Sequence, residues 1–444
     1  MKNCLFSNRS QINYLLLGLV ILFSSCSTNQ QIAKKVKKEF KQSTLIAQYQ
    51  VGFALYDRTK KEMIFQKDAE KYFSPASNTK LFTFYAGLKM IPDSIPSLRY
   101  VERGDSLIFW GTGDPSFLHT QLKGTKAFDF LKSSSKKLFF APGRYTGDFY
   151  GNGWQWDDYN AYYQPEINEL PLFDNVVLIS AKTAGNMNIL PQTFASCFVK
   201  DTLSKAKNFT VIRDFNTNNF RFNTAVIAAK YEQQVPYKVS LPTTINLLVD
   251  TLNKFVDVVD MKMPLNAKTI YNLKSDTVFK QMMLPSDNFV AEHLLLVYAN
   301  NLGVELNTTK VINHINTTYL SALPDKPKWV DGSGLSRGNL FTPRDIIKLL
   351  ELIYDEVSDE NRLFEMMPAG GKTGTLRNAY PKTDAPFIYG KTGTLSGVHN
   401  QSGYIKTKKG KTLLFSFMNN NYVNPTADVR KEMVRIMTFI HDNF

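Results

Sequence analysis

Three short strings can act together only if distant parts of the chain fold onto one another: Ser77-Asn78-Thr79-Lys80, Ser286-Asp287-Asn288 and Lys391-Thr392-Gly393-Thr394. The first two serines lie 209 residues apart, and Lys391 follows Ser286 by another 105. Each string alone is common. In this order they supply a nucleophile, a base, a second hydroxyl beside an amide, and a second cation. A serine hydroxyl attacks poorly until a base takes its proton. Lys80, three residues on in a helical stretch, shares a face with Ser77 and can reach it. It is a base only if its pKa falls well below ~10.4, through burial or a like charge. Lys391 would supply that charge, so the strings require a fold in which they meet.

At 444 residues, two or more domains are expected. Hydrophobic content of 43% with 21% charged residues is that of a globular chain. The net charge of +14 is spread out, and the densest run, Lys34-Lys35-Val36-Lys37-Lys38, suits a solvated helix face or a membrane-proximal patch. Without basic clusters interleaved with exposed aromatics, nucleic acid is excluded as a partner. Residues 1–26 have the form of an export signal: Lys2 and Arg9, an apolar run from Tyr14 to Phe23, then Ser24-Ser25-Cys26. Cys26 resembles the lipidated cysteine of bacterial lipoproteins, which implies a periplasmic or other extracytoplasmic protein held to a membrane by an N-terminal lipid. Cys4 would leave with the signal and Cys197 stands alone. No disulfide framework, metal-ligand spacing or catalytic thiol is expected, and no cofactor.

The texture of the chain predicts an α+β domain split by an insertion. Residues 27–96 form its first part: a polar helix over 30–43, strands near 49–56 and 63–66, and a helix from Pro75 to Met90 that Pro92 and Pro96 end. Residues 97–265 carry short aromatic and β-branched runs between Gly, Asn and Asp, and read as a β-rich insertion. Residues 266–444 return to the first domain, with helices over 272–284, 287–301, 307–320 and 343–356. Strands then follow to Met418, and a closing helix near 426–442. An antiparallel sheet joining both chain ends, flanked by helices, is the expected architecture.

Ser286 or Asp287 suits a helix cap, and residues just before a helix project from its end. Ser286 can then relay a proton between Lys80 and a leaving amine, and the Asn288 amide can bind a peptide backbone. Glu292 and His293 on the next turns read as structural. Lys-Thr-Gly-Thr occurs twice. The copy at Lys372 follows Pro368-Ala369-Gly370-Gly371 and reads as a loop. The copy at Lys391 leads into a hairpin and fits a strand edge, where Lys391, Thr392 and Thr394 would hold a carboxylate. There the Thr394 N–H would join that of Ser77 as an oxyanion hole. Neither copy is a phosphate loop, since Met366 and Ala385 stand where the required glycine would be.

The trio resembles the low-molecular-mass class C penicillin-binding proteins, the D-alanyl-D-alanine carboxypeptidase/endopeptidase family. Further strings carry the likeness: Ser74-Pro75-Ala76-Ser77, Gly113-Asp114-Pro115, Gly153-Trp154-Gln155-Trp156-Asp157-Asp158, Asp331-Gly332-Ser333-Gly334-Leu335-Ser336-Arg337 and Gly374-Thr375-Leu376-Arg377. It spans roughly residues 45–420. It implies a penicillin-recognising serine transpeptidase-like domain, with Ser77, Lys80, Ser286, Asn288 and Lys391 as catalytic residues and Thr392, Gly393 and Thr394 binding substrate. It also implies peptidoglycan stem peptides as substrates and β-lactams as covalent inhibitors. Lys372 and the stretch from Ile167 to Phe173 depart from the family pattern. Two rivals were weighed. A β-lactamase would need a hydrolytic glutamate where Gln164 stands, in a segment after Ser286. A non-catalytic wall- or antibiotic-binding module would form no covalent adduct with penicillin.

Overall fold

The computed structural model describes residues 29–204 and 206–444. The signal segment and the expected lipidation site, Cys26, lie outside them. A helix through residues 29–42 (α1) leads into strands β1 (Gln50–Asp57) and β2 (Glu62–Lys67), a 3₁₀ turn at Ala76–Thr79 and helix α2 (Lys80–Met90). The insertion follows with β3 (Ser94–Arg103), β4 (Ser106–Gly111), α3 (Lys126–Ser133) and β5 (Lys137–Phe140). It continues through β6 (Val176–Ala181), β7 (Asn188–Leu190), β8 (Phe198–Lys200), β9 (Val211–Arg213) and β10 (Phe220–Phe222). Then come β11 (Tyr231–Pro236), α4 (Leu241–Leu252), β12 (Val256–Val258) and β13 (Lys268–Lys274). The chain returns through α5 (Ser275–Met283), α6 (Asn288–Leu302), α7 (Thr308–Thr318), α8 (Pro343–Val357) and α9 (Glu360–Glu365). It closes with β14 (Ile388–Leu395), β15 (Val398–Lys406), β16 (Thr412–Asn420) and α10 (Thr426–Asn443).

The main sheet has the order β14-β15-β16-β1-β2, antiparallel throughout, so β1 beside β16 ties the two ends of the chain together. Its inner strands β1, β15 and β16 are buried on both faces, hence the near-continuous apolar runs of β1 and β16. Ile32, Val36 and Phe40 of α1 and Val429, Met433 and Ile436 of α10 cover one face, against Phe53 and Phe417. Helices α2, α6 and α8 cover the other through Phe82, Leu294, Ile346 and Leu350. Helices α2 and α6 are buried nearly all round, as expected of the central helices of a large core. Gly87 allows that contact: a Cβ there would stand 2.6 Å from Phe279 and from the Tyr298 hydroxyl, which itself donates to the Thr83 carbonyl at 2.8 Å.

The insertion has a five-stranded sheet ordered β12-β5-β4-β3-β13 and two three-stranded sheets, with its own core around Leu107, Phe109, Val177, Val235 and Leu248. It holds two helices besides strands. Helix α4 announces itself locally: Ser240 caps it by accepting from the Thr243 N–H at 3.2 Å, Pro242 sits in its first turn, and Asn253 closes it in the left-handed region.

Candidate active site

The three strings meet at the end of the main sheet where the insertion packs against the helical face. Ser77 lies in the 3₁₀ turn and Lys80 begins α2, so the short turn, and not a regular α-helix, presents the hydroxyl. Lys80 is fully buried, and its Nζ donates to three oxygens: Ser77 Oγ at 3.0 Å, Asn288 Oδ1 at 2.6 Å and the Ser333 carbonyl at 2.8 Å. Burial pushes the lysine down to about 8, against the opposing pull of Glu292, Asp331 and Asp287. Desolvation, not the like charge expected of Lys391, is what lowers Lys80. The like-charge effect falls on Lys391, which burial and then Lys80 push well below the usual lysine range. Burial thus makes a neutral amine at Lys80 accessible near neutral pH.

Lys391 Nζ donates to Ser286 Oγ at 2.7 Å and to the Thr392 carbonyl at 2.8 Å. Ser286 is thus bonded to Lys391, where the sequence suggested a relay from Lys80. Asn288 is also more constrained than expected. Its Oδ1 accepts from Lys80, and its Nδ2 donates to the Tyr163 carbonyl of the insertion at 2.9 Å. Asp287 caps α6 through the Val290 N–H at 3.1 Å. Ala76 and Ser286 both hold positive φ, 46° and 68°. For residues other than glycine this costs roughly 1–3 kcal/mol each, and the bonds from Lys80 and Lys391 hold the Ser77 and Ser286 hydroxyls in place.

Strand β14 is the edge of the main sheet. In an antiparallel strand the N–H and C=O of one residue point to the same side, and sides alternate along the chain. The Gly390 N–H donates to Pro368 and the Ile388 carbonyl accepts from Gly370, both on the outer edge. By the same alternation Thr392 and Thr394 face outward, with the Thr394 N–H towards the cleft. Gly393 is required by proximity: a Cβ there would stand 2.5 Å from the Pro75 carbonyl and 2.8 Å from the Ser77 nitrogen. The Thr394 hydroxyl is hydrogen-bonded to His399 Nδ1 at 2.8 Å and that of Thr392 donates to Thr375 Oγ1 at 2.7 Å. Lys372 lies apart, its Nζ donating to the Asp384 carbonyl at 3.0 Å, while Thr375 from that first copy reaches the cleft.

Several further residues support the site, among them Asp331 and Gly334 of the Asp331–Arg337 string and Glu292 and His293 of α6. Glu292 accepts the Gly332 and Ser333 N–H groups at 3.0 and 2.7 Å, holding the loop whose carbonyl binds Lys80; burial and Asp331 raise its pKa. Asp331 accepts from the Gly334 and Ser336 N–H groups and from Trp154 Nε1 at 2.9 Å. Gly334, at φ +87°, lies so close that a Cβ would stand 1.9 Å from the Ala76 carbonyl. His293 is neutral: burial lowers it to about 4, and its Nε2 accepts the Asn168 N–H at 3.4 Å. Glu166 turns into the insertion, accepting from the Val239 N–H at 2.7 Å.

Ser77, Ser286, Asn288, Thr392 and Thr394 open onto one cleft of about 740 Å³, walled on the far side by Gln155, Asp158 and Tyr163 of the insertion. A carbonyl placed there meets a hydroxyl with a buried amine behind it, two N–H groups at one edge and a second amine-hydroxyl pair. That set can break an acyl bond without histidine.

The pattern of the D-Ala-D-Ala carboxypeptidase 3 (S13) family matches residues 32–440. The chain is 23% identical to the D-alanyl-D-alanine carboxypeptidase DacB of Haemophilus influenzae over 430 residues, 87% of this chain and 88% of that protein. It is 31% identical to the carboxypeptidase DacB of Mycolicibacterium smegmatis over 156 residues, 33% of this chain and 34% of that relative. The crystal structure of penicillin-binding protein 4 from H. influenzae superposes with a TM-score of 0.71 at 19% identity, covering 92% of this chain and 99% of the other.

Proposed function

Because the chain belongs to the D-Ala-D-Ala carboxypeptidase 3 (S13) family, we propose that it is a serine DD-peptidase of peptidoglycan stem peptides. One observation carries the assignment of roles: a fully buried Lys80 Nζ lies 3.0 Å from Ser77 Oγ. Neutral Lys80 takes the Ser77 proton as Oγ attacks the carbonyl between two D-residues. The oxyanion settles between the Ser77 and Thr394 N–H groups. As the C–N bond breaks to leave an ester on Ser77, the departing amine takes a proton from Ser286, which is restored from the Lys80 ammonium, so that Lys80 is again a free amine. Water then hydrolyses the ester, with Lys80 again the base. A β-lactam follows the first half of this path and stays attached. A non-catalytic module would have no use for a buried, depressed lysine.

We extend the reading to DD-endopeptidase activity, because the cleft continues past Ser77 to Gln155, Asp158 and Tyr163 of the insertion. We also place the enzyme outside the cytoplasm, held by lipid on Cys26, on the strength of the signal-like segment before it. The test of the chemistry is mass spectrometry after exposure to penicillin, with digestion products of peptidoglycan analysed in parallel. The wild type should gain one adduct on the Ser77 peptide and release both D-alanine and uncross-linked muropeptides. Ser77→Ala should do neither. Labelling that survives Ser77→Ala would refute the nucleophile, and release of D-alanine alone would refute the endopeptidase extension.

A further inference from the structure

On the rim of the cleft the insertion holds aromatic side chains out in solvent. Trp156 is 73% exposed, Tyr162 65% and Phe215 45%. Trp156 opens a 3₁₀ turn, Trp156–Asn160, and meets Phe215 edge-on with ring centroids 6.2 Å apart. Tyr159 meets Phe215 the same way at 4.9 Å. This cluster is fixed at some cost. Arg213, wholly buried, donates through Nη1 to the carbonyls of Asp214, Phe215 and Thr217 at 2.7, 3.0 and 3.0 Å, and lies over the Tyr159 ring at 5.3 Å. Asn160 ties the two loops through the Arg213 N–H and carbonyl, at 2.9 and 3.2 Å. Among its described contacts this cation has carbonyls, the Tyr150 hydroxyl and a ring but no direct carboxylate, an expensive way to hold a surface loop. The peptide chemistry uses none of it.

The turn is continuous with the site. Gln155 and Asp158, on either side of Trp156, line the cleft, whereas Trp156 and Phe215 stand just outside it. Rigid exposed aromatics beside exposed amide and carboxylate groups (Gln155 and Asp157) mark a binding surface. The occupant follows from the substrate. Four extended residues span roughly 14 Å, so the glycan that bears a stem peptide held in the cleft lies within reach of residues bordering it, this rim among them. The C–H face of a pyranose stacks on an aromatic ring, and its hydroxyls and acetamido group suit amides and carboxylates.

We propose that Trp156 and Phe215 form a platform for the N-acetylhexosamine strand that bears the peptide being cut, a binding site separate from the catalytic cleft. It rests on the DD-peptidase reading for its occupant. The test compares Trp156→Ala, Phe215→Ala and Trp156→Phe with the wild type on two substrates: a sugar-free pentapeptide ending in D-Ala-D-Ala, and intact peptidoglycan. The alanine variants should cut the free peptide like the wild type and lose about five- to tenfold on peptidoglycan, as for the loss of an aromatic stacking contact. Trp156→Phe should retain most of the rate. In a second measurement, Ser77→Ala protein should co-sediment with glycan strands stripped of their peptides, and the same protein with Trp156→Ala should not. Equal losses on both substrates, no loss on either, or unchanged co-sedimentation would overturn the platform. A wild type that cuts neither substrate and takes no penicillin would instead overturn the DD-peptidase reading, and glycan co-sedimentation would still decide the platform.

Discussion

At the scale of single residues, the site turns on where a proton can rest. Lys80 has about 8 as its pKa because it is buried. Below that pH it is mostly ammonium and cannot accept the Ser77 proton; above it the free amine dominates. The second-order rate of penicillin acylation should therefore rise with pH to a midpoint near 8, falling about tenfold per unit well below it. Stopped-flow or gel-based acylation over pH 6–10 checks this, and a flat profile would remove Lys80 as the base. The sequence made the contact of Ser77 with Lys80 legible because i, i+3 spacing is a local rule. It left burial and a like charge as alternatives for the tuning, and did not reveal that Ser286 pairs with Lys391. Which of two amines a hydroxyl meets is decided by the packing of segments far apart in sequence. Ser333 was invisible for another reason: its carbonyl does the binding, and a backbone group leaves no trace in residue identity.

At the scale of elements, the site is an agreement between a turn, a loop and a strand edge at very close range. Glycine marks the places where backbones nearly touch. Gly393 lies against the Pro75–Asn78 turn, and a methyl group there would force β14 away from the nucleophile. Gly393→Ala should lower the acylation rate by about a hundredfold, the scale of a 1 Å misplacement. Its unfolding midpoint should shift far less, since β14 keeps its bonds to β15. Parallel acylation and thermal melts test this; equal losses in both would make the glycine structural only. Most elements were readable, since the strands near both chain ends and helices α5 to α8 have clear periodicity and stop signals. The helices of the insertion were harder to see: Ser240 and Pro242 signal α4 plainly, but aromatic, β-branched surroundings masked them.

At the scale of the whole molecule, the insertion lines the cleft and braces the residues around it. It supplies the Tyr163 carbonyl to Asn288, the Trp154 indole to Asp331 and the Asn168 N–H to His293. None of these partnerships could be read from the sequence, because the insertion has no fixed spacing to the strings it serves. Below the main sheet, α1 presents exposed lysines at 34, 35, 37, 38 and 41 close behind Cys26. A lipid there would hold this basic face towards the membrane. Metabolic labelling with palmitate should mark the protein and the membrane fraction should retain it; Cys26→Ser should lose both. Labelling that persists in the variant would refute the anchor. The edge of β14 is bridged by Pro368 and Gly370 over its first half and, among the described residues, unpaired over the rest. Unpaired edges invite sticking between neighbours, a hazard that grows when molecules crowd on a surface. Gln155, Asp158 and Tyr163 of the insertion line the same cleft as Thr392 and Thr394, so that bare half faces a walled groove that shields it from a neighbour's sheet edge.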